Sequence, residues 1–216
     1  MQVFSTNNSN SLNFKALRIA KAKNCHKGLT THIDIYRLTE SDNKFLEKLL
    51  NNVDFRKLLP SAPQDKLKLY QDVFRASVFN AMDSANTAYV AVSNNLPCGL
   101  LALRSGKIMN FLDLVSIPVD MNTKVNMTGQ ILLYQGFLDS QRVNANKIKL
   151  EAINGSLGNP VQKYKEWGLE EVSEGERYVE MQCDKLNIEK QLKRFAQKIK
   201  YKKVKSQSTN LESFIA

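Results

Sequence analysis

The stretch LDLVSIPVDMNTKVNMTGQILL, residues 112–133, decides the fold of this chain. It starts as a short apolar run typical of a buried strand and passes Pro118 into a polar segment. It then reaches Gly129, where an apolar helical run begins. The first backbone N–H groups of a helix have no intrahelical acceptor, and the helix dipole adds partial positive charge there. We therefore interpret this turn as a site for a pyrophosphate group, to which Lys124 adds a full charge.

The composition is that of an ordinary globular protein of 216 residues. No apolar run approaches the roughly 18 residues needed to cross a bilayer, so we expect no membrane span. The start of the chain lacks the apolar core of a secretory signal, and its three cysteines are too scattered for a disulfide framework. Cys25, His26 and His32 lack a fourth ligand at a suitable spacing. We therefore expect a cytoplasmic protein without a metal site.

The net charge of +10 is concentrated at the two ends of the chain. Residues 1–30 are Ser- and Asn-rich and then basic, so we predict a disordered or loosely docked arm, although an acid-free start also resembles an organelle transit peptide. Residues 185–205 hold nine Lys or Arg and one acid. Residues 185–216 are predicted to form a basic amphipathic helix followed by a mobile tail; its apolar stripe is Ile188, Leu192, Phe195 and Ile199.

Residues 31–184, between these ends, are predicted to form a single mixed α/β domain. Apolar residues alternate in the predicted strands and recur at helical spacing in the predicted helices. The order is a strand, two helices, three antiparallel strands, a helix, a strand, a helix and two strands: residues 32–38, 45–53, 61–81, 87–93, 96–104, 108–119, 129–138, 147–154, 160–167, 169–172 and 178–183. Cys98 lies between Pro97 and Gly99 with no base nearby in sequence, so we interpret it as a small strand residue and not a nucleophile.

Three motifs make this order resemble the GNAT superfamily of N-acetyltransferases. The run from Lys124 to Leu133 looks like its acyl-CoA signature: Arg or Gln, two residues, Gly, any residue, Gly or Ala, and a helix with paired leucines. Here Lys124 stands for Arg or Gln, and Met127 stands for the first glycine. Residues 150–152 are similar to the fifth strand of the GNAT sheet, which separates from the fourth strand. Residues 164–169 match a Tyr-x-x-x-Gly-Phe pattern with Leu for Phe.

The resemblance implies a central, mostly antiparallel sheet that splays between its fourth and fifth strands. It also implies transfer of an acyl group, most simply acetyl from acetyl-CoA, to an amine on a small molecule or a protein. Tyr164 falls at the position of the tyrosine that protonates the leaving thiolate, and either Asp113 or Glu151 could take a proton from the amine. The implied acetyl-CoA site comprises Val115, Ser116, Ile117, Lys124, Val125, Asn126, Met127, Thr128, Gly129 and Gln130.

The basic C-terminal segment supports an alternative function. A GNAT-like domain with weak catalysis could serve as a binding module and contact nucleic acid through residues 185–205, because clustered lysines attract phosphate without sequence specificity. The competing interpretation is a helix that packs its apolar stripe on the domain and keeps its lysines in water. A pocket for another phosphate-bearing ligand is a third hypothesis.

Overall fold

The structure is a computed structural model that describes residues 15–26, 29–84, 87–106, 109–116, 127–154 and 159–215. In these residues nine strands form one sheet: β1 Ala16–His26, β2 Leu29–Arg37, β3 Thr87–Ser93, β4 Leu96–Ser105, β5 Met109–Ser116, β6 Lys147–Ile153, β7 Glu170–Glu174, β8 Tyr178–Asp184 and β9 Ile199–Thr209. Six α-helices accompany these strands in the described ranges: α1 Asn43–Asn52, α2 Phe55–Leu58, α3 Gln64–Phe79, α4 Thr128–Arg142, α5 Pro160–Glu166 and α6 Lys185–Lys198.

The strands lie in the order β7-β8-β6-β5-β4-β3-β2-β1-β9. Neighbouring strands run antiparallel except β5 and β6, which are parallel. An antiparallel pair can be joined by a short turn, whereas a parallel pair needs a crossover, which α4 supplies here. The predicted mixed α/β fold with a mostly antiparallel sheet is confirmed.

Helices cover both faces of the sheet. The face covered by α4, α5 and α6, called the α4 face below, has a core that includes Leu101, Phe137 and Phe195. The opposite face, called the α1 face, is covered by α1, α2, α3 and a short 3-10 helix, Leu211–Phe214, and its core includes Phe45 and Phe74. Along a strand, side chains point alternately to the two faces. Among the described residues, β1–β4 contribute buried side chains to both cores, whereas β5, β6, β8 and β9 contribute only to the core of the α4 face and β7 is exposed.

The prediction of a disordered arm is wrong for residues 16–26, which form β1 between β2 and β9. Ala20 and Ala22 are fully buried in the core of the α4 face and alternate with Lys21 and Lys23. The segment is therefore a half-buried strand whose buried residues are alanines, and the lysines between them concealed that alternation in the sequence. Residues 1–14 lie outside the described ranges.

The predicted amphipathic helix is confirmed as α6, which buries Ile188, Leu192 and Phe195. The predicted mobile tail is wrong, because residues 199–209 form β9 at the edge of the sheet. Beyond β9, Leu211 is completely buried and the ring of Phe214 packs edge-on against Tyr36, with ring centroids 6.1 Å apart. Both corrections share a cause: each terminal strand is stabilised by pairing with the other end of the chain.

The helices of the described chain include none that is long and apolar enough to span a membrane.

Candidate active site

Strands β5 and β6 separate partway along their length. They pair over their first residues, from Met109 with Lys147 to Phe111 with Lys149. Beyond Phe111, the backbone of β5 pairs with β4 as far as Ser116, and the backbone of β6 pairs with β8 as far as Ile153. In the described chain, the facing edges of the two strands beyond this point have no strand partner, which leaves N–H and C=O groups open to a ligand. The splay predicted between the fourth and fifth strands is confirmed: these strands are β5 and β6 here, because the prediction did not include β1.

The N-terminus of α4 lies beside the end of β5. Thr128, the first residue of the helix, is buried and donates its hydroxyl to Cys98 Sγ on β4 at 3.7 Å. Burial raises the pKa of the Cys98 thiol to about 12, so the thiol stays protonated and itself donates to the carbonyl of Ala91 at 3.4 Å. Since Gly99 pairs with Ser116, this contact fixes the start of α4 next to the open end of β5.

Two further contacts hold α4 along β5. A Cβ added at Gly136 would lie 3.2 Å from the side chain of Leu112, so glycine permits a close approach of helix and strand. Near the other end of the helix, Asn110 Nδ2 donates to Ser140 Oγ at 2.8 Å. Almost every residue of α4 from Thr128 to Phe137 is buried, and the helix is therefore a fixed internal element of the fold.

Met127 caps α4 in a left-handed backbone conformation, with φ 73° and ψ 9°. Its carbonyl accepts the N–H of Ile131 at 3.0 Å, but its side chain makes no capping hydrogen bond to the helix. The residue that replaces the first glycine of the signature therefore adopts the conformation that glycine favours.

Gln130, in the first turn of α4, has a buried polar atom that lacks a partner among the described residues. The residue is 4% exposed, and its Oε1 makes no hydrogen bond to the described residues. A buried acceptor without a donor costs about 1–3 kcal/mol. An N–H donor on a bound molecule would remove that cost.

Tyr164 lies on α5, which packs against β6, β7 and β8, on the other side of the split from α4. The side chain is 8% exposed and contributes to the core of the α4 face. Its ring packs edge-on against Trp167 with centroids 5.6 Å apart, and burial raises the pKa of the phenol to about 12. Tyr164 is therefore a neutral phenol at physiological pH, on the same face of the sheet as α4.

Of the two candidate bases, only Glu151 has a described side chain. Leu150 and Ala152 are buried in the core of the α4 face, so strand alternation directs Glu151 to the α1 face, where it is exposed. Glu151 lies opposite Glu180, which forms a 2.6 Å ion pair with Lys149. The backbone of Asp113 pairs with Ala102, and its side chain lies outside the described part of the structure. The fold thus separates Glu151 from Tyr164 across the sheet.

The predicted acetyl-CoA residues divide into three groups. Residues 127–130 form the start of α4, and the backbones of Val115 and Ser116 lie on the open edge of β5. Ile117, Lys124, Val125 and Asn126 lie outside the described residues. Sequence reasoning identified Cys98 only as a strand residue and missed its contact with Thr128, because those residues are thirty positions apart.

The chain matches no protein-family model and no curated protein. Its structure is similar to the PaiA N-acetyltransferase of Thermoplasma acidophilum, in complex with coenzyme A, at 13% identity and a TM-score of 0.51 over 70% of this chain and 98% of the other. It is also similar to an acetyltransferase of Streptococcus agalactiae, at 12% identity and a TM-score of 0.51 over 70% and 98% of the two chains. This chain has the GNAT fold.

A third structure of the same fold is an aminoglycoside 6′-acetyltransferase of type Ii, at 16% identity and a TM-score of 0.50 over 69% of this chain and 96% of the other. In the GNAT fold of this chain, the split between β5 and β6 and the helix start at Thr128 are the features around which the candidate site is built. These three acetyltransferases align over nearly their full length, whereas nearly a third of this chain has no counterpart in them.

Proposed function

We propose that this protein is an acyl-CoA-dependent N-acyltransferase that transfers an acetyl group to an amine. The observation that carries the proposal is the separation of β5 and β6 beyond Phe111, with the start of α4 anchored beside the open end of β5. The presence of coenzyme A in the Thermoplasma protein of the same fold supports acetyl-CoA as the co-substrate.

The residues at the split fit such a molecule. The first N–H groups of α4 are oriented for an anion, and the side chain of Met127 does not cap them, so they would hold the diphosphate. Lys124, Val125 and Asn126 belong to the same proposed contact. The open edge of β5 from Leu112 to Ser116 would pair with the amide groups of the pantetheine arm, as one strand pairs with another.

When bound, acetyl-CoA supplies an activated acyl group as a thioester. The backbone N–H groups at the end of β5 would polarise its carbonyl oxygen, which is a large contribution to acyl transfer. Tyr164 would donate its proton to the departing sulfur, because its pKa of about 12 keeps the phenol protonated at neutral pH. Asp113, or Glu151 through water because it lies across the sheet from Tyr164, would take a proton from the ammonium form of the substrate. The neutral amine would then attack the thioester carbonyl, and the bond from carbon to sulfur would break.

The proposal is tested by following the release of free thiol from acetyl-CoA in the presence of single amines. The full chain is incubated with a polyamine, an amino sugar, an aminoglycoside and a lysine peptide, each in a separate reaction. We expect thiol release that depends on one of these amines. Binding of acetyl-CoA without amine-dependent release would favour the alternative of a catalytically weak binding module. Neither binding nor release would refute the transferase proposal.

A further inference from the structure

Strands β1 and β9 bring lysines from the two ends of the chain together. In their antiparallel register Lys21 lies opposite Lys202, and Lys23 lies opposite Lys200. Directly opposed residues in an antiparallel pair project from the same face of the sheet, with Cβ atoms about 4.5–5.5 Å apart. Residues two apart along a strand also share a face and are about 6.7 Å apart. The four side chains therefore form a two-by-two array, called the lysine face below.

The lysine face is open to solvent. Ala20 and Ala22 are buried in the core of the α4 face, so alternation directs Lys21 and Lys23 to the α1 face of the sheet. Three of the four lysines are exposed and Lys23 is half-buried. The helices of the α1 face therefore do not cover this end of the sheet.

The positive charge of this face is not neutralised by neighbouring carboxylates. Within the described ranges, none of the four lysines forms an ion pair with Asp or Glu. Asp34 lies opposite Lys21 on β2, but its carboxylate is bound by Arg18. The residue opposite Lys23 on β2 is His32, which adds no negative charge.

Sheet stability does not account for this arrangement. Like charges directly opposite one another destabilise a strand pair. Lysines on an edge strand protect it against pairing with another chain, which could explain those of β9. That explanation does not extend to Lys21 and Lys23, because β1 is an interior strand, paired on one side with β2 and on the other with β9.

We propose that the lysine face binds the phosphate backbone of nucleic acid without sequence specificity. Ammonium groups at a regular spacing suit a polymer with regularly repeated phosphates, and lysine binds phosphate as a point charge. A membrane surface is less suitable, because the exposed large hydrophobic residues of the described chain include none from β1 or β9. The sequence assigned this contact to residues 185–205, whereas the face combines Lys200 and Lys202 with two lysines from the other end of the chain. This function is independent of acyl transfer.

The test compares two variants that each remove four positive charges. One replaces Lys21, Lys23, Lys200 and Lys202 with Gln; the matched control replaces four exposed lysines of α5 and α6 with Gln, namely Lys163, Lys190, Lys193 and Lys198. Binding of the full chain to fluorescent dT20 and to a 20-base-pair duplex is measured by anisotropy at several salt concentrations. We expect the first variant to lose at least tenfold in affinity. Its slope of log K against log salt should flatten by about 3, since each lost phosphate contact removes about 0.7–0.9.

The control should lose less than about threefold, because its lysines lie elsewhere. A fourth protein with Arg at the four positions of the lysine face should retain wild-type binding, and thermal melts establish that all four proteins are folded. Equal loss in the two Gln variants, greater loss in the control, or no binding by the wild type would overturn the proposal. Binding to phosphatidylserine vesicles that depends on the lysine face, without binding to either nucleic acid, would overturn it in favour of a membrane surface.

Discussion

At the scale of the residue, Met127 combines a left-handed backbone with a side chain at the entrance of the proposed diphosphate site. That conformation costs a residue other than glycine about 1–2 kcal/mol. We expect Met127→Gly to raise the free energy of unfolding by up to about 1 kcal/mol, since the greater entropy of glycine in the unfolded chain offsets part of the relief. Urea denaturation measures the change, and a loss of stability above about 1 kcal/mol would mean that packing of the methionine outweighs the strain.

Substitution of Tyr164 distinguishes a role as proton donor from a role in core packing. Tyr164→Phe should lower kcat by about 10²–10⁴-fold with little change in the KM for acetyl-CoA, because only the proton donor is removed. Trp167→Phe is the control, since it alters the ring packed against Tyr164 and keeps the hydroxyl. Steady-state kinetics with the amine that supports turnover provides both constants. A kcat for Tyr164→Phe equal to that of Trp167→Phe would assign Tyr164 to the core alone.

The sequence predicts the conformation of a residue where the signal lies in its immediate neighbours along the chain. The helix predicted over residues 160–167 ends just before Gly168, which has φ +90°. The end of a helix is predictable because its signals lie in adjacent residues. The left-handed conformation of Met127 could not be predicted, since methionine rarely adopts it and the surrounding fold imposes it. The side-chain orientation of Glu151 needed the buried neighbours that only the folded sheet supplies.

At the scale of the element, α4 and the strands of residues 87–116 were predictable, because long apolar runs with short turns carry their own signals. Strands β1 and β9 were not. Their pairing joins residues close to opposite ends of the chain, for example Ala16 with Thr209. The lysine-rich sequence of both strands also has the composition of disordered or solvated segments. A tertiary contact therefore overrode the local preference.

Substitution in the C-terminal 3-10 helix tests whether the end of the chain packs against the sheet. Leu211 is 0% exposed in the core of the α1 face, so Leu211→Ala should lower the free energy of unfolding by about 2–4 kcal/mol. Leu186→Ala is the matched control: the same atoms are removed from a residue that is 75% exposed, and the change should stay within about 0.5 kcal/mol. Equal urea midpoints for the two variants would restore the mobile tail predicted from the sequence.

At the scale of the whole molecule, burial raises the pKa of five tyrosines and two cysteines: Tyr36, Tyr89, Tyr134, Tyr164, Tyr201, Cys98 and Cys183. The folded protein therefore holds these protons more tightly than the unfolded chain. Their contribution is complete below the unfolded pKa values, about 8.5 for Cys and about 10 for Tyr, and is lost as the pH rises through the folded values.

We expect the melting temperature to be insensitive to these groups below about pH 8 and to fall steeply between about pH 9 and pH 12. Tyr164 alone, with its pKa raised to about 12, should account for about 2–3 kcal/mol of that loss. Calorimetry across this range provides the measurement, and Tyr164→Phe should show a shallower decline. A melting temperature that stays constant up to pH 11.5 would show that the buried phenols and thiols ionise freely in the folded state.

The central claim is that the split between β5 and β6, together with the start of α4, holds acetyl-CoA. Isothermal titration of acetyl-CoA into the full chain tests it directly. Met127→Trp should obstruct the helix start, and Met127→Leu is the control, because leucine has a similar volume and must adopt the same left-handed backbone conformation. We predict one site per chain with a Kd of about 1–100 μM, weakened at least tenfold by Met127→Trp and unchanged by Met127→Leu. No binding to the wild type at about 1 mM acetyl-CoA, or equal binding to the Trp variant, would contradict the claim.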